Sequence, residues 1–257
     1  MSSDLTVTVV QHASGLDPAE NRAALDALVP SGSDLVVLPE AMARDFGEPG
    51  SPLGEYAESL DGPFASEVAR VAQARQTTVV AGMFERSDDP QRPFNTVIAR
   101  GRGRADYRKI HLYDSFGHRE SDLVTPGPTD DLTAQLELEG WHLGLLTCYD
   151  LRFPELARAR AVAGADVLVL PAAWVAGPRK VEHWRTLLRA RAIENTTYVV
   201  AAAQPGPRYS GHSLVVAPDG EVLAEAGEGE EVLTATLERD RLEDVRRTNP
   251  SLANRRL

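Results

Sequence analysis

One segment of this chain occurs twice. Ser31-Gly-Ser-Asp-Leu-Val-Val-Leu-Pro-Glu40 aligns without gaps on Ala163-Gly-Ala-Asp-Val-Leu-Val-Leu-Pro-Ala172. A second echo, Thr77-Thr-Val-Val-Ala-Gly82 against Thr197-Tyr-Val-Val-Ala-Ala202, and a third, Asn95-Thr-Val-Ile-Ala99 against His212-Ser-Leu-Val-Val216, follow in the same order. The chain therefore reads as two related halves. Each apolar run is unbroken, not alternating, which implies strands covered on both faces. Two such sheets can stack on each other and take helices outside. The expected fold is α/β: a four-layer α-β-β-α sandwich of two pseudo-symmetric halves.

Further runs fill the plan. Strands are expected over Leu5–Val10, Asp34–Leu38, Thr77–Ala81, Asn95–Arg100, Leu143–Thr147, Asp166–Leu170, Tyr198–Ala202, Ser213–Ala217 and Glu231–Leu237. Helices are expected between them. Asp17-Pro18-Ala19-Glu20 combines an N-cap, a helix-compatible proline and a capping-box glutamate, opening a helix to about Leu28. Phe64–Arg75, Pro154–Ala163 with Gly164 as its C′ residue, Lys180–Glu194 and Arg239–Arg246 complete the set. No stretch has linker composition, so 1–257 is read as a single domain.

Composition narrows the function classes. A hydrophobic content of 42%, a charged content of 25% and a net charge of −11 are those of a soluble protein without a broad basic face for nucleic acid. The run from Ala161 to Gly177 is broken by Asp166 and Pro171, so it reads as a buried strand and not a membrane span. Met1–Val10 lacks the basic start and apolar stretch of a signal peptide, and the single cysteine has no disulfide partner. The expected location is the cytoplasm.

That cysteine, Cys148, ends the run Leu143-Gly-Leu-Leu-Thr-Cys148 and precedes Tyr149-Asp150-Leu-Arg152-Phe-Pro154-Glu155. A thiol at a strand-to-helix junction suits a nucleophile, because the following backbone N–H groups and dipole favour negative charge. A small buried hydrophobe would occupy the same place. Glu40 ends one copy of the repeated segment where Ala172 ends the other, so its carboxylate sits in only one of two equivalent slots. Lys109 lies in Asp106-Tyr-Arg-Lys109-Ile-His111, and Glu120 follows in Phe116-Gly-His-Arg-Glu120. Each alone reads equally as a surface charge. Together a thiol, a carboxylate to take its proton and an ammonium to steady an oxyanion make a chemical set.

Leu-Pro39-Glu40, Tyr107-Arg-Lys109-Ile-His111-Leu and Cys148-Tyr-Asp150-Leu-Arg152-Phe-Pro-Glu155, in that order, resemble the nitrilase superfamily of carbon–nitrogen hydrolases. Pro171-Ala-Ala-Trp174, His183-Trp184, Leu188-Arg-Ala-Arg191-Ala-Ile-Glu194-Asn195, Gly211-His-Ser213 and Pro218-Asp-Gly220 extend the resemblance over the whole chain. It implies the α-β-β-α sandwich, usually paired in dimers, and a triad of Glu40, Lys109 and Cys148 with Glu120 as a second glutamate. It also implies an oxyanion donor in the Tyr149 N–H, a small-molecule amide as substrate, and no metal or organic cofactor. Trp174 is placed either in the core or on the pocket wall, and Asp150, Arg152 and Glu155 are read as charge pairs that orient the Cys148 elbow.

The resemblance is strongest to omega-amidases and deaminated-glutathione amidases. The segment Gly177-Pro-Arg-Lys-Val-Glu-His183-Trp184 is longer and more charged than in those enzymes, and Gln204–Gly211 is shorter. Arg179 and Arg208 are candidates to clamp a substrate carboxylate, or are solvated surface groups. Rival readings are a nitrile or N-carbamoyl hydrolase, or a non-catalytic interaction member. The six histidines show no zinc-binding spacing, and His111 and His212 are read as structural. No Gly-x-Ser-x-Gly elbow is present, and the Gly101–Gly103 turn is no dinucleotide loop. The tail from Arg246 to Leu257 is expected to pack across the interface of a homodimer, or of a higher oligomer.

Overall fold

The computed structural model describes residues 4–129 and 135–256. Met1–Ser3 of the N-terminus and Leu257 of the tail lie outside the described residues. The first half supplies β1 (Leu5–Gln11), α1 (Pro18–Leu28), β2 (Leu35–Val37), α2 (Pro63–Arg75), β3 (Thr78–Glu85), β4 (Phe94–Arg100) and β5 (Ala105–Arg108). The second supplies β6 (Gln135–Leu138), β7 (Trp141–Leu145), α3 (Pro154–Val162), β8 (Val167–Ala172), α4 (Lys180–Asn195), β9 (Tyr198–Ala203), β10 (Leu214–Val216) and β11 (Val222–Glu225). The chain closes with β12 (Glu231–Leu237) and α5 (Arg239–Thr248).

Two six-stranded sheets result, ordered β12-β1-β2-β3-β4-β5 and β6-β7-β8-β9-β10-β11. Their pairing senses match position by position: β1-β2-β3 and β7-β8-β9 are parallel, and the remaining pairs are antiparallel. The C-terminal strand β12 thus fills in the first sheet the place that β6 fills in the second. The four layers follow from the side chains. Leu35 and Val37 join the cluster shared with the second sheet, while Val36 and Leu38 pack with Leu25, Phe64 and Val68 of α1 and α2. Both faces of β2 are buried, as its unbroken apolar run requires.

The repeat is visible in hydrogen bonds. The Asp34 carboxylate accepts from Thr6 N at 2.9 Å, and Asp166, in the equivalent slot, accepts from His142 N at 3.2 Å. Thr78 N donates to Asp34 O and Tyr198 N to Asp166 O, each at 2.9 Å. The first two echoes are in register, since Val37 pairs with Val80 and Val169 with Val200. The third is not. Ala81 pairs with Ile98 whereas Ala201 pairs with Leu214, so Asn95 corresponds to Gly211 and not to His212. Gly211 and His212 both have positive φ, 63° and 57°, and this backbone twist ahead of the short β10 displaces the match by one residue.

Helix ends follow their local chemistry. Asp17 accepts from Ala19 N at 2.7 Å and Glu20 N at 3.4 Å, ahead of a helix opened by Pro18. Gly164, φ 106°, stands just past the Ala163 cap of α3. Three strands escaped the sequence reading: β5, β6 and β11. The tail begins on contacts within its own chain. Arg246 pairs with Asp166 at 2.7 Å and donates to Ala165 O and Thr196 O, which ties α5 to the segments that lead into the central strands β8 and β9. Among the described residues no helix is long and apolar enough to cross a membrane.

Candidate active site

The repeat breaks where the chemistry gathers. In the second half β8 runs on to Ala172, paired with β9 as far as Ala203. In the first half β2 stops at Val37, and the chain swings away through Ala41 at φ 56°. Gly82, facing that swing, lets the Glu40 backbone pass, because a Cβ there would lie 2.7 Å from Glu40 Cα and 2.5 Å from Ala41 N. Glu40 is carried to the seam between the sheets. Its Oε2 accepts from Ala173 N of the second half at 2.6 Å, and Gln204 Nε2 donates to its backbone oxygen at 2.9 Å.

Lys109 follows β5 and is 2% exposed. Its ammonium lies 3.0 Å from Glu40 Oε1 and 2.8 Å from Glu120 Oε2. Burial alone would favour the neutral amine, but Glu120 and Glu40 outweigh it and hold the Lys109 ammonium well above its ordinary range. Asn95 Nδ2 completes the frame, donating to Glu40 Oε1 at 2.7 Å and Glu120 Oε1 at 3.0 Å. Tyr113 N donates to Glu120 Oε2 at 2.6 Å. Two carboxylates thus share one cation out of contact with bulk water.

Cys148 leaves β7 at φ 45°, a left-handed conformation that costs a non-glycine residue about 1–3 kcal/mol, and opens a short 3₁₀ segment, Cys148–Arg152. What holds it there is Asp150, fully buried. One Asp150 oxygen accepts from Thr147 N at 2.9 Å and Tyr107 OH at 2.7 Å; the other accepts from His111 N at 3.1 Å and pairs with His111 Nδ1 at 2.7 Å. The elbow is therefore strapped to both ends of the segment that carries Lys109. Asp150→Ala should leave buried donors unpaired and cost about 3–5 kcal/mol. Thermal denaturation should read this as a fall in Tm of about 10 °C for a chain of this size; an unchanged Tm would remove Asp150 from this role.

Burial first, and then the Glu40 carboxylate, push the Cys148 thiol well above its usual range, and Lys109 pulls the other way without prevailing. The resting arrangement is a neutral thiol beside a carboxylate. Proton transfer from Sγ to Glu40 leaves the net charge of the cluster unchanged, so the thiol can be activated without bringing a new charge into the interior.

Glu40, Lys109, Glu120, Cys148, Tyr149 and Trp174 all line one cavity of about 350 Å³. These six residues are thus brought to one place. Trp174 belongs to core and wall together: it is 3% exposed, lines the cavity, and donates from Nε1 to Lys180 O at 3.0 Å. Arg208 also lines the cavity but is engaged by Asp45 at 3.2 Å. Arg179 is away from it, paired on the surface with Glu182. Glu155 stands exposed in the first turn of α3 and does not orient the elbow; the helix start turns it outward. Arg152 lies over the Trp174 ring, 4.9 Å from its centroid. Among the described residues no group of three or more His, Cys, Asp or Glu side chains could hold a metal ion.

The family model of carbon-nitrogen hydrolases matches residues 6–247. The chain belongs to the carbon-nitrogen hydrolase family. A deaminated glutathione amidase of Escherichia coli O157:H7 is 42% identical to it over 225 residues, which is 86% of this chain and 84% of that protein. A deaminated glutathione amidase of Synechocystis is 38% identical over 252 residues, 90% of this chain and 89% of its own. Among solved structures, a CN-hydrolase superfamily protein of Xanthomonas campestris with an arsenic adduct in its active site superposes with a TM-score of 0.87 at 30% identity, covering 99% and 98% of the two chains. A mutant amidase of Nesterenkonia in complex with acrylamide superposes with a TM-score of 0.79 at 26% identity, covering 98% and 94%.

Two residues of this carbon-nitrogen hydrolase site were not legible in the sequence. Asn95 passed as the first polar residue of a strand, and only its place between Glu40 and Glu120 gives it weight. Lys180 passed as the first residue of a helix, yet it is 6% exposed and lines the cavity. The signal available for it was the unusual charge of the Gly177–Trp184 segment.

Proposed function

We propose that this carbon-nitrogen hydrolase is an amidase that releases ammonia from a small carboxylate-bearing amide through a Cys148 thioester. The observation that carries this reading is the buried Lys109 clamped between Glu40 and Glu120 beside a strained Cys148. Glu40 takes the thiol proton as Sγ attacks the amide carbon. The oxyanion is met by the Lys109 ammonium and the Tyr149 N–H. Glu40 returns the proton to the nitrogen, the C–N bond breaks, and ammonia leaves a thioester. Glu40 then takes a proton from water as its oxygen attacks the thioester, and returns that proton to Sγ as the acid departs. Glu120 keeps Lys109 in place through its 2.8 Å contact. The deaminated glutathione amidase relatives support an amide over a nitrile or a carbamoyl compound. A homodimer working in the cytoplasm is part of the same proposal.

The test is ammonia release from alpha-ketoglutaramate, succinamate and deaminated glutathione, with matched nitriles and N-carbamoyl compounds alongside and Cys148→Ala protein as the blank. Turnover of an amide above the blank is expected. Turnover confined to the nitriles or carbamoyl compounds would replace this reading with the corresponding hydrolase. An inert Cys148 that resists iodoacetamide, with no turnover at all, would favour a non-catalytic role.

A further inference from the structure

The cavity wall carries several cations, and most are neutralised where they stand. Lys109 is held by Glu40 and Glu120, Arg119 by Asp122 at 3.4 Å and Arg208 by Asp45 at 3.2 Å. Lys180 is different. Among the described residues no carboxylate pairs with it, although it is 6% exposed. Its Nζ donates to Tyr113 OH at 2.8 Å and lies 3.9 Å from the Phe116 ring centroid and 5.6 Å from that of Trp174. Arg152 lies over the same two rings, at 5.6 and 4.9 Å, also with no carboxylate paired to it among the described residues. Ring faces recover part of the hydration an ammonium loses on burial but supply no counter-charge. Two positive charges therefore stand over these rings with no carboxylate paired to either among the described residues, and of the two Lys180 lines the cavity.

We propose that Lys180 is the specificity-determining residue of this pocket, receiving on its ammonium a carboxylate carried at the far end of the amide substrate. The inference rests on the amidase reading above and names the part of the wall that recognises the acid. An ammonium has three donors and Tyr113 takes one, which leaves donors for a charge-assisted bond to the substrate. Tyr113 links the two ends of the site: its N–H meets Glu120 and its hydroxyl meets Lys180, so a substrate lying along this residue spans from the thiol to the anchor. Burial, and next Arg152, lower the Lys180 pKa, a strain that an incoming anion relieves. Arg208, considered above for this role, already has Asp45.

The experiment compares monoamides of straight-chain dicarboxylic acids, from succinic to suberic, with their methyl esters, which keep the length and lose the charge. At the best length the wild-type protein should prefer the acid by at least about 10-fold in kcat/KM. Lys180→Met should erase that preference mainly through KM and change the ester less than about threefold. Tyr113→Phe, which removes the hydroxyl but not the ammonium, should keep the preference. Equal losses on acid and ester in Lys180→Met would make Lys180 a strut for Tyr113 and overturn the proposal, as would wild-type indifference to charge. A second arm reads recognition without turnover: calorimetric binding of the matching dicarboxylates to Cys148→Ala protein, with and without Lys180→Met. Binding that survives the loss of Lys180 sinks the anchor. Lys180-dependent binding with no amide turned over by the wild type would sink the amidase reading and leave the anchor standing.

Discussion

Lys109→Met should yield a protein that is both inactive and less stable. The side chain lengths are similar, so packing changes little, but the cation between Glu40 and Glu120 disappears. Removing one partner of a buried ionic cluster typically costs about 3–5 kcal/mol. Activity should fall by about 10³-fold or more, since on the proposed mechanism both the oxyanion partner and the anchor of the base are lost. The pH dependence separates this from a simple loss of packing. Because Lys109 is held above its ordinary value, its contribution in the wild type is fully present below the unfolded value of 10.5 and fades only as pH rises through the higher folded one. The wild-type advantage over Lys109→Met should therefore persist unchanged from neutral pH to about pH 10 and shrink above it. Chemical denaturation at neutral and alkaline pH measures this; a gap that closes already between pH 7 and 9 would contradict the cluster as described.

What the sequence made legible was decided by burial. The repeated segments announce themselves because β2 and β8 are covered on both faces, which demands uninterrupted Val and Leu, and two such demands in one chain produce visible likeness. The strands that went unseen are of another kind. Val222-Leu-Ala-Glu225 of β11 is half-exposed throughout, and Ala105-Asp-Tyr-Arg108 of β5 buries only Tyr107, so neither carries a buried strand's composition. The third echo misled by one residue because similarity among Val-rich runs does not sense register, which Gly211 and His212 shift through their backbone angles. A one-residue slip changes which side chains face which layer.

The site divides along the same line. Glu40 and Cys148 could be found because each follows an apolar strand and sits in an ordered motif, and Lys109 through its motif alone. Asn95 and Lys180 could not, because their significance is a matter of neighbours distant in sequence: Asn95 bridges two glutamates, and Lys180 matters for the carboxylate it lacks. Arg179, two residues past Gly177, reads in the sequence as a clamp or a solvated surface group; its φ of 60° starts α4 with the guanidinium turned to Glu182 on the surface, the second of these readings. The adjacent Lys180 is the residue that enters the cavity.

Gly82→Ala should damage turnover far more than folding. Two positions distinguish the halves at the point where the chemistry sits: Glu40 against Ala172, and Gly82 against Ala202. They are coupled. Ala202 pairs with Pro171 in a continuous ladder, and its methyl group is accommodated there. At Gly82 the facing chain has left the ladder, and an added Cβ would lie 2.5 Å from Ala41 N, 2.7 Å from Glu40 Cα and 2.9 Å from Glu40 C. These are backbone atoms, so relief requires moving the main chain that carries Glu40. Gly82 itself keeps extended strand angles, and an alanine there meets no backbone strain of its own. The bonds from Gly82 N to Pro39 O at 3.1 Å and from Ala43 N to Gly82 O at 3.0 Å make the shift pull on both sides of Glu40. Displacing a reacting group by about 1 Å can cost about 10²-fold, and kcat of Gly82→Ala should fall by at least about that factor. The destabilisation should stay within the overpacking range of about 1–3 kcal/mol. Ala202→Gly, the reciprocal change in the other half, should leave kcat within about threefold of wild type while costing stability through the loosened strand. A Gly82→Ala enzyme that turns over normally would mean that Glu40 is not placed by this close approach, and the asymmetry between the halves would then need another cause.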